Sequence, residues 1–115
     1  MQIELTGTNI EIDGRLRRMV GRRFARVARQ VPEEVHCEVV LAEEHNPRIP
    51  EGQIAEANLR VKGGTINAKA HARDMSAALG RVADEIVRQL RRRRDRATAR
   101  RRAGAESIRT LPGGL

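Results

Sequence analysis

The 115-residue sequence holds one phenylalanine and neither tryptophan nor tyrosine. Proteins that grip single-stranded nucleic acid usually stack bases on aromatic rings, and aromatic anchors dominate many protein–protein hot spots. Neither mode is well supplied here. A single cysteine, Cys37, excludes an intramolecular disulfide and suits a reducing cytoplasm. No long apolar run is present and the chain opens directly on a strand-like pattern, so neither a leader peptide nor a membrane span is expected. Metal-ligand spacing is also missing: His36 alternates away from Cys37, His45 falls in a loop and His71 on another strand. No nucleophile is accompanied by a suitable His and carboxylate, and no Gly-rich loop opens a helix as a phosphate cradle. An enzyme is not expected, nor a cofactor, nor a small-molecule substrate.

What the sequence has in excess is arginine, which supplies 21 of the 23 basic residues and drives a formal charge of +8. Arginine offers a planar fork of donors matched to pairs of phosphate oxygens, whereas lysine acts as a hydrated point charge. The charge is also segregated. Residues 15–30 carry +7 and residues 91–115 carry +7, while residues 31–56 between them carry −6. Clustered Arg in a domain of pI ≈ 11.4 is the electrostatic footprint of a nucleic-acid binder, and its polarity would orient the molecule on a polyanion.

Length bounds the chain to one domain. Gln2–Thr6 alternates and reads as a short strand, after which Asp13 fits a helix N-cap. Leu16, Met19, Val20, Phe24 and Val27 then follow helical spacing until Pro32. Val35–Leu41 returns to period two, with Val35, Cys37, Val39 and Leu41 inward, and Glu43–Gly52 reads as a loop. Two further strands, Ile54–Lys62 and Thr65–Ala72, are joined by Gly63-Gly64, a hairpin signal. Closing the loop on those two glycines puts Ala57, Leu59 and Val61 on the core side with Ile66, Ala68 and Ala70. It pairs Arg60 with Asn67, Asn58 with Lys69 and Glu56 with His71 on the outer side.

Asp74 caps the last helix, whose apolar stripe is Met75, Ala78, Leu79, Val82, Ile86 and Leu90. Beyond it Arg91–Arg94, Arg96 and Arg100–Arg102 form a basic block without an apolar stripe, read as an RNA-contacting arm. Residues 1–95 are expected to form the domain and residues 96–115 a basic disordered tail, unstructured from about Gly104. Two amphipathic helices need one common apolar surface, which the inner face of a four-stranded sheet provides. The expected fold is an α+β two-layer sandwich of order β-α-β-β-β-α, both helices on one face.

On the first helix Arg15, Arg18, Arg22, Arg26 and Arg29 lie within roughly 80° of arc, away from the apolar stripe. An ordinary solvated face mixes signs, but this helix has no acidic residue after Asp13. Five like charges on one stripe repel one another, and a polyanion relieves that repulsion. Arg23 projects near the apolar side, where it would snorkel. On the last helix Arg81, Arg88 and Arg92 lie opposite the core stripe and Arg91 is near them, a face diluted by Asp84 and Glu85. Lys69 and Arg73, with His71, lie near the end of the final strand and the start of that helix, where they would contact phosphate or solvate an edge. Cys37 reads as a core thiol.

The opening MQIELTGTNIEID, the middle LRVKGGTINAKAHARDMSAAL and the close RQLRR resemble the ribosome hibernation-promoting factor and ribosome-associated inhibitor family, short form, over about residues 1–95. The most telling stretch is the Gly-Gly hairpin, then alternation, then Asp74-Met75 opening a helix with Ala77-Ala78. The resemblance implies a layout similar to double-stranded RNA-binding domains. It further implies a cytoplasmic protein lodged in the mRNA and tRNA channel of the small ribosomal subunit, on 16S rRNA and the 70S ribosome, silencing translation in stationary phase or stress. Family contacts through both helices would fall on Arg15, Arg18, Arg22, Arg26, Arg29, Arg81, Arg88, Arg91 and Arg92. Ser76 stands where members often have an aromatic, and Glu85 where a basic residue is common. The long form carries a second, dimerising domain for which this chain ends too early. Two other readings compete: a general binder of duplex RNA or DNA through its backbone, and a membrane-surface protein using the first helix. Competition between ribosomes and arbitrary duplexes separates the hibernation reading from the duplex binder, and failure to bind anionic vesicles would remove the membrane reading.

Overall fold

The computed structural model describes the backbone of residues 1–110 and the side chains of residues 1–104. Its order is β1 (Gln2–Thr8), α1 (Gly14–Arg23), α2 (Ala25–Ala28), β2 (His36–Glu43), β3 (Gln53–Val61), β4 (Gly64–Ala72) and α3 (Met75–Thr110). The four strands form one sheet in sequence order. β1 runs parallel to β2, and the other pairs are antiparallel. A parallel neighbour requires a crossover, which α1 and α2 supply.

Period-two alternation decides the inner face. Cys37, Val39, Leu41, Ala55, Ala57, Leu59, Ile66 and Ala68 are buried, and all join one cluster with Leu16, Val20, Phe24 and Val27. From α3 the same cluster receives Met75, Ala78, Leu79, Val82, Ile86 and Leu90, the expected stripe. The result is an α+β fold with a four-stranded open sheet and the helices packed on it. Both helix starts are capped as expected. The backbone N–H of Leu16 donates to Asp13 Oδ1 at 2.8 Å, and that of Ala77 to Asp74 Oδ1 at 2.8 Å.

Three expectations are corrected. The first helix is not continuous: it stops at Arg23 and resumes at Ala25, with Phe24 between them at φ −93° and ψ 2°. The break coincides with the largest fully buried side chain of the core, where the backbone turns to seat the ring.

The hairpin pairing is slipped by two residues. Val61 faces Gly64, Arg60 faces Thr65, Asn58 faces Asn67 and Glu56 faces Lys69, so the turn is Lys62-Gly63. Gly63 has φ +90°, a conformation that side chains rarely adopt.

Lastly, α3 continues to Thr110 instead of giving way to an irregular tail at residue 96. The disorder expected for residues 111–115 lies outside the described residues.

Candidate nucleic-acid interface

The two helical segments lie side by side and run in the same direction, stitched by contacts that advance together along both. Arg23 donates from Nε and Nη2 to Ser76 Oγ, at 2.9 and 2.7 Å. Arg26 on α2 pairs with Asp84 on α3, and Arg94 Nη2 donates to Gln30 Oε1 at 2.6 Å. Arg23 therefore does more than snorkel: it lies over α3 beside Gly80, and Ser76 leaves it the room that an aromatic ring would take.

On the outer side of α1 and α2, Arg15, Arg18, Arg22 and Arg29 are all exposed. Among the described residues no carboxylate comes within ion-pair distance of any of the four. Arg29 makes only a long 3.4 Å contact from Nε to the carbonyl of Ala25. This stripe is the uncompensated cationic surface. Arg26, at its edge, is shared with Asp84.

The α3 arginines are more occupied. Glu85 holds two of them, Arg88 at 2.8 Å and Arg92 at 3.4 Å. In the sequence Glu85 only dilutes the basic charge, whereas in the fold it anchors both arginines. Arg81 turns toward the sheet edge, donating to the backbone carbonyl of His71, with Glu51 Oε1 3.7 Å from Nη1. Further along the helix, Gln89 Nε2 donates to the carbonyl of Asn67 at 3.0 Å. Arg81 and Gln89 thus cover outward-pointing carbonyls of the edge strand β4. Arg91 is exposed, with no carboxylate in ion-pair range among the described residues.

Lys69 and Arg73 do not join this surface in the same way. Lys69 lies on the outer face of the sheet opposite Glu56, with the sheet between it and the helices. Arg73 sits exposed in the junction before α3. The structure thus gathers Arg15, Arg18, Arg22, Arg26 and Arg29 on one side, places Arg88, Arg91 and Arg92 on the neighbouring helix, and sets Lys69 apart.

Neutralised pairs at exposed positions are screened by water and contribute little to stability. Arg88 and Arg92 can therefore leave Glu85 for phosphate at small cost. Cys37 offers no chemistry here: it is fully buried, and burial pushes its thiol up to about 11, with the Glu38 carboxylate adding to the shift. Among the described residues no group of three or more His, Cys, Asp or Glu is placed to hold a metal ion.

Comparison with known proteins gives this arrangement a family. The model of the Sigma 54 modulation protein / S30EA ribosomal protein family matches residues 3–98. The chain belongs to that family. A ribosome hibernation promoting factor of Klebsiella oxytoca is 35% identical over 96 residues, covering 84% of this chain and 96% of that protein. Among solved structures, the N-terminal domain of Thermus thermophilus Protein Y aligns with a TM-score of 0.69 at 29% identity, covering 80% of this chain and 98% of that one. A ribosomal subunit interface protein from Coxiella burnetii aligns with a TM-score of 0.68 at 23% identity, covering 83% of this chain and 99% of that one, and shares the fold. The S30EA match ends at residue 98, so Arg100 and Arg101 lie past the part the family model describes.

Proposed function

We propose that this protein binds the small ribosomal subunit and holds ribosomes inactive, without catalysing a reaction. Residues 1–95 form the ribosome-binding domain. The observation that carries the reading is the stripe of Arg15, Arg18, Arg22 and Arg29, exposed and free of carboxylate partners among the described residues. Guanidinium groups one or two turns apart on one face relieve their mutual repulsion by meeting phosphates, and they read backbone and not bases. Arg26, Arg88, Arg91 and Arg92 extend the contact across α3 and Arg73 flanks it, while Lys69, across the sheet, and Arg81, turned to the edge of β4, are left out of it.

The relative named as a hibernation promoting factor supports the ribosome as partner. In this reading the domain lies on 16S rRNA in the mRNA and tRNA channel, much as a double-stranded RNA-binding domain lies on its helix. It acts in the cytoplasm, in stationary phase or under stress, on small subunits or whole 70S ribosomes. Sedimentation of lysate from starved cells tests it. The protein should travel with small subunits or ribosomes at low salt and leave them at high salt; a protein that stays at the top of a low-salt gradient ends the proposal. Equal affinity for arbitrary RNA or DNA duplexes in competition would instead favour a general duplex binder.

A further inference from the structure

Past Leu90 the side of α3 that faces the body changes chemistry. On the packed stretch that side carries Leu79, Val82, Ile86 and Leu90, all buried. Continued at the same helical spacing it carries Arg93, Ala97, Arg100 and Arg101. The extension overhangs a groove of about 1150 Å³, walled on one side by Arg93, Arg96, Arg100 and Arg101. The hairpin turn at Lys62 and Gly63 and the segment after α2 form the other side, and Val31, Val35 and Val61 give an apolar strip. Two contacts hold the overhang in place. Arg94 reaches Gln30, and Arg93 lies across the hairpin so closely that a Cβ on Gly64 would stand 3.1 Å from its Nη2. Six basic residues line this groove against one carboxylate, Glu34.

We propose that the groove holds a strand of RNA by its phosphodiester backbone. The sign of the lining demands an anion, and five of its six cations are arginines, whose forks fit phosphate oxygens in pairs. Arg93, Arg96 and Arg100 follow at steps of three and four residues, about 4.5–6 Å apart along the helix, a row suited to a regularly charged polymer. Carboxylates of an acidic protein segment hang on flexible side chains, whereas each phosphodiester is fixed in the backbone itself. The lining holds no aromatic residue, so bases are not stacked and the grip is indifferent to sequence. None of the lining residues belongs to the stripe on α1 and α2. The groove therefore adds a second RNA-binding surface that does not depend on the ribosome reading.

Anisotropy of a fluorescein-labelled oligouridylate, titrated with the full chain across a salt series, tests the groove. Replacing Arg96, Arg100 and Arg101 together by Ala should weaken binding about tenfold or more. It should also lower the slope of log affinity against log salt by about 2, at about 0.7 for each single-strand phosphate left without its cation. A triple of equal charge, Arg17→Ala with Arg48→Ala and Arg60→Ala, should lose far less. Lys62→Ala, on the opposite wall, should cost about two- to threefold. Alanine is at home in an exposed helix, and circular dichroism checks that each variant keeps its unfolding temperature. Equal losses in the two triples would reduce the effect to bulk charge and overturn the groove. A silent Lys62→Ala would overturn it by leaving the arm alone as the binding element. Displacement of the RNA by a polyglutamate peptide at lower concentration would assign the groove to an acidic protein instead. Ribosome co-sedimentation reads the other proposal, so either can fail alone.

Discussion

Cys37 shows at the scale of one residue what burial does to reactivity. It sits on the inner face of β2 opposite Leu59, fully enclosed, with its thiol pushed up from 9.0 to about 11. The thiolate is the nucleophile, so the native protein should resist a thiol reagent at pH 8 and react only when denaturant opens the core. Fast native labelling would contradict this burial. The sign of the pH effect also follows. An acid whose pKa is raised on folding binds its proton more tightly in the native state, so it opposes folding once the unfolded thiol ionises. Stability should fall as pH rises from about 9 through 11, by about 2 kcal/mol from this group, and Cys37→Ala should remove that part of the decline.

The elements show which patterns a sequence carries and which it hides. Strand faces were legible because alternation fixes the side on which each residue lies. The hairpin pairing was not, because a slip of two residues leaves every side chain on its own face, and hydrophobic patterning is blind to even slips. Only the turn distinguishes the two registers, and Gly63 and Gly64 are compatible with both. The break at Phe24 was hidden for a related reason: Leu16, Val20, Phe24 and Val27 keep helical spacing through it, and neither Pro nor Gly marks it. Both caps were legible, since an Asp before an amphipathic run has few other uses. Asp74→Ala should cost about 1 kcal/mol in chemical denaturation, because one first-turn N–H of α3 loses its acceptor. A change well below that would mean the bond to Ala77 adds nothing in solution.

At the scale of the whole molecule the arm dominates the shape. The radius of gyration is 18.9 Å and the longest extent 71 Å, against about 13 Å expected for the radius of a compact chain of this length. The missing apolar stripe beyond Leu90 suggests disorder, but arginine and alanine are both good helix formers, and the structure continues the helix from its packed part. The arginine stripe was readable from spacing alone. Its partial neutralisation on α3 was not, because Arg26 meets Asp84 only once two distant segments are packed together. Replacing Arg18, Arg22 and Arg26 together by Ala should weaken ribosome binding and lower its salt slope by about one for each phosphate no longer neutralised, with little change in the unfolding midpoint. Binding and slope that match the unaltered protein would move the interface elsewhere.

The side chains of Arg81 and Gln89 have a consequence for self-association. By occupying the carbonyls of His71 and Asn67 they obstruct pairing along the β4 margin, and β1 is the sheet's other border. A molecule with one sticky side can join a second copy, but each such union exhausts the adhesive margin of both. Growth by strand addition along β1 would therefore stop at two subunits.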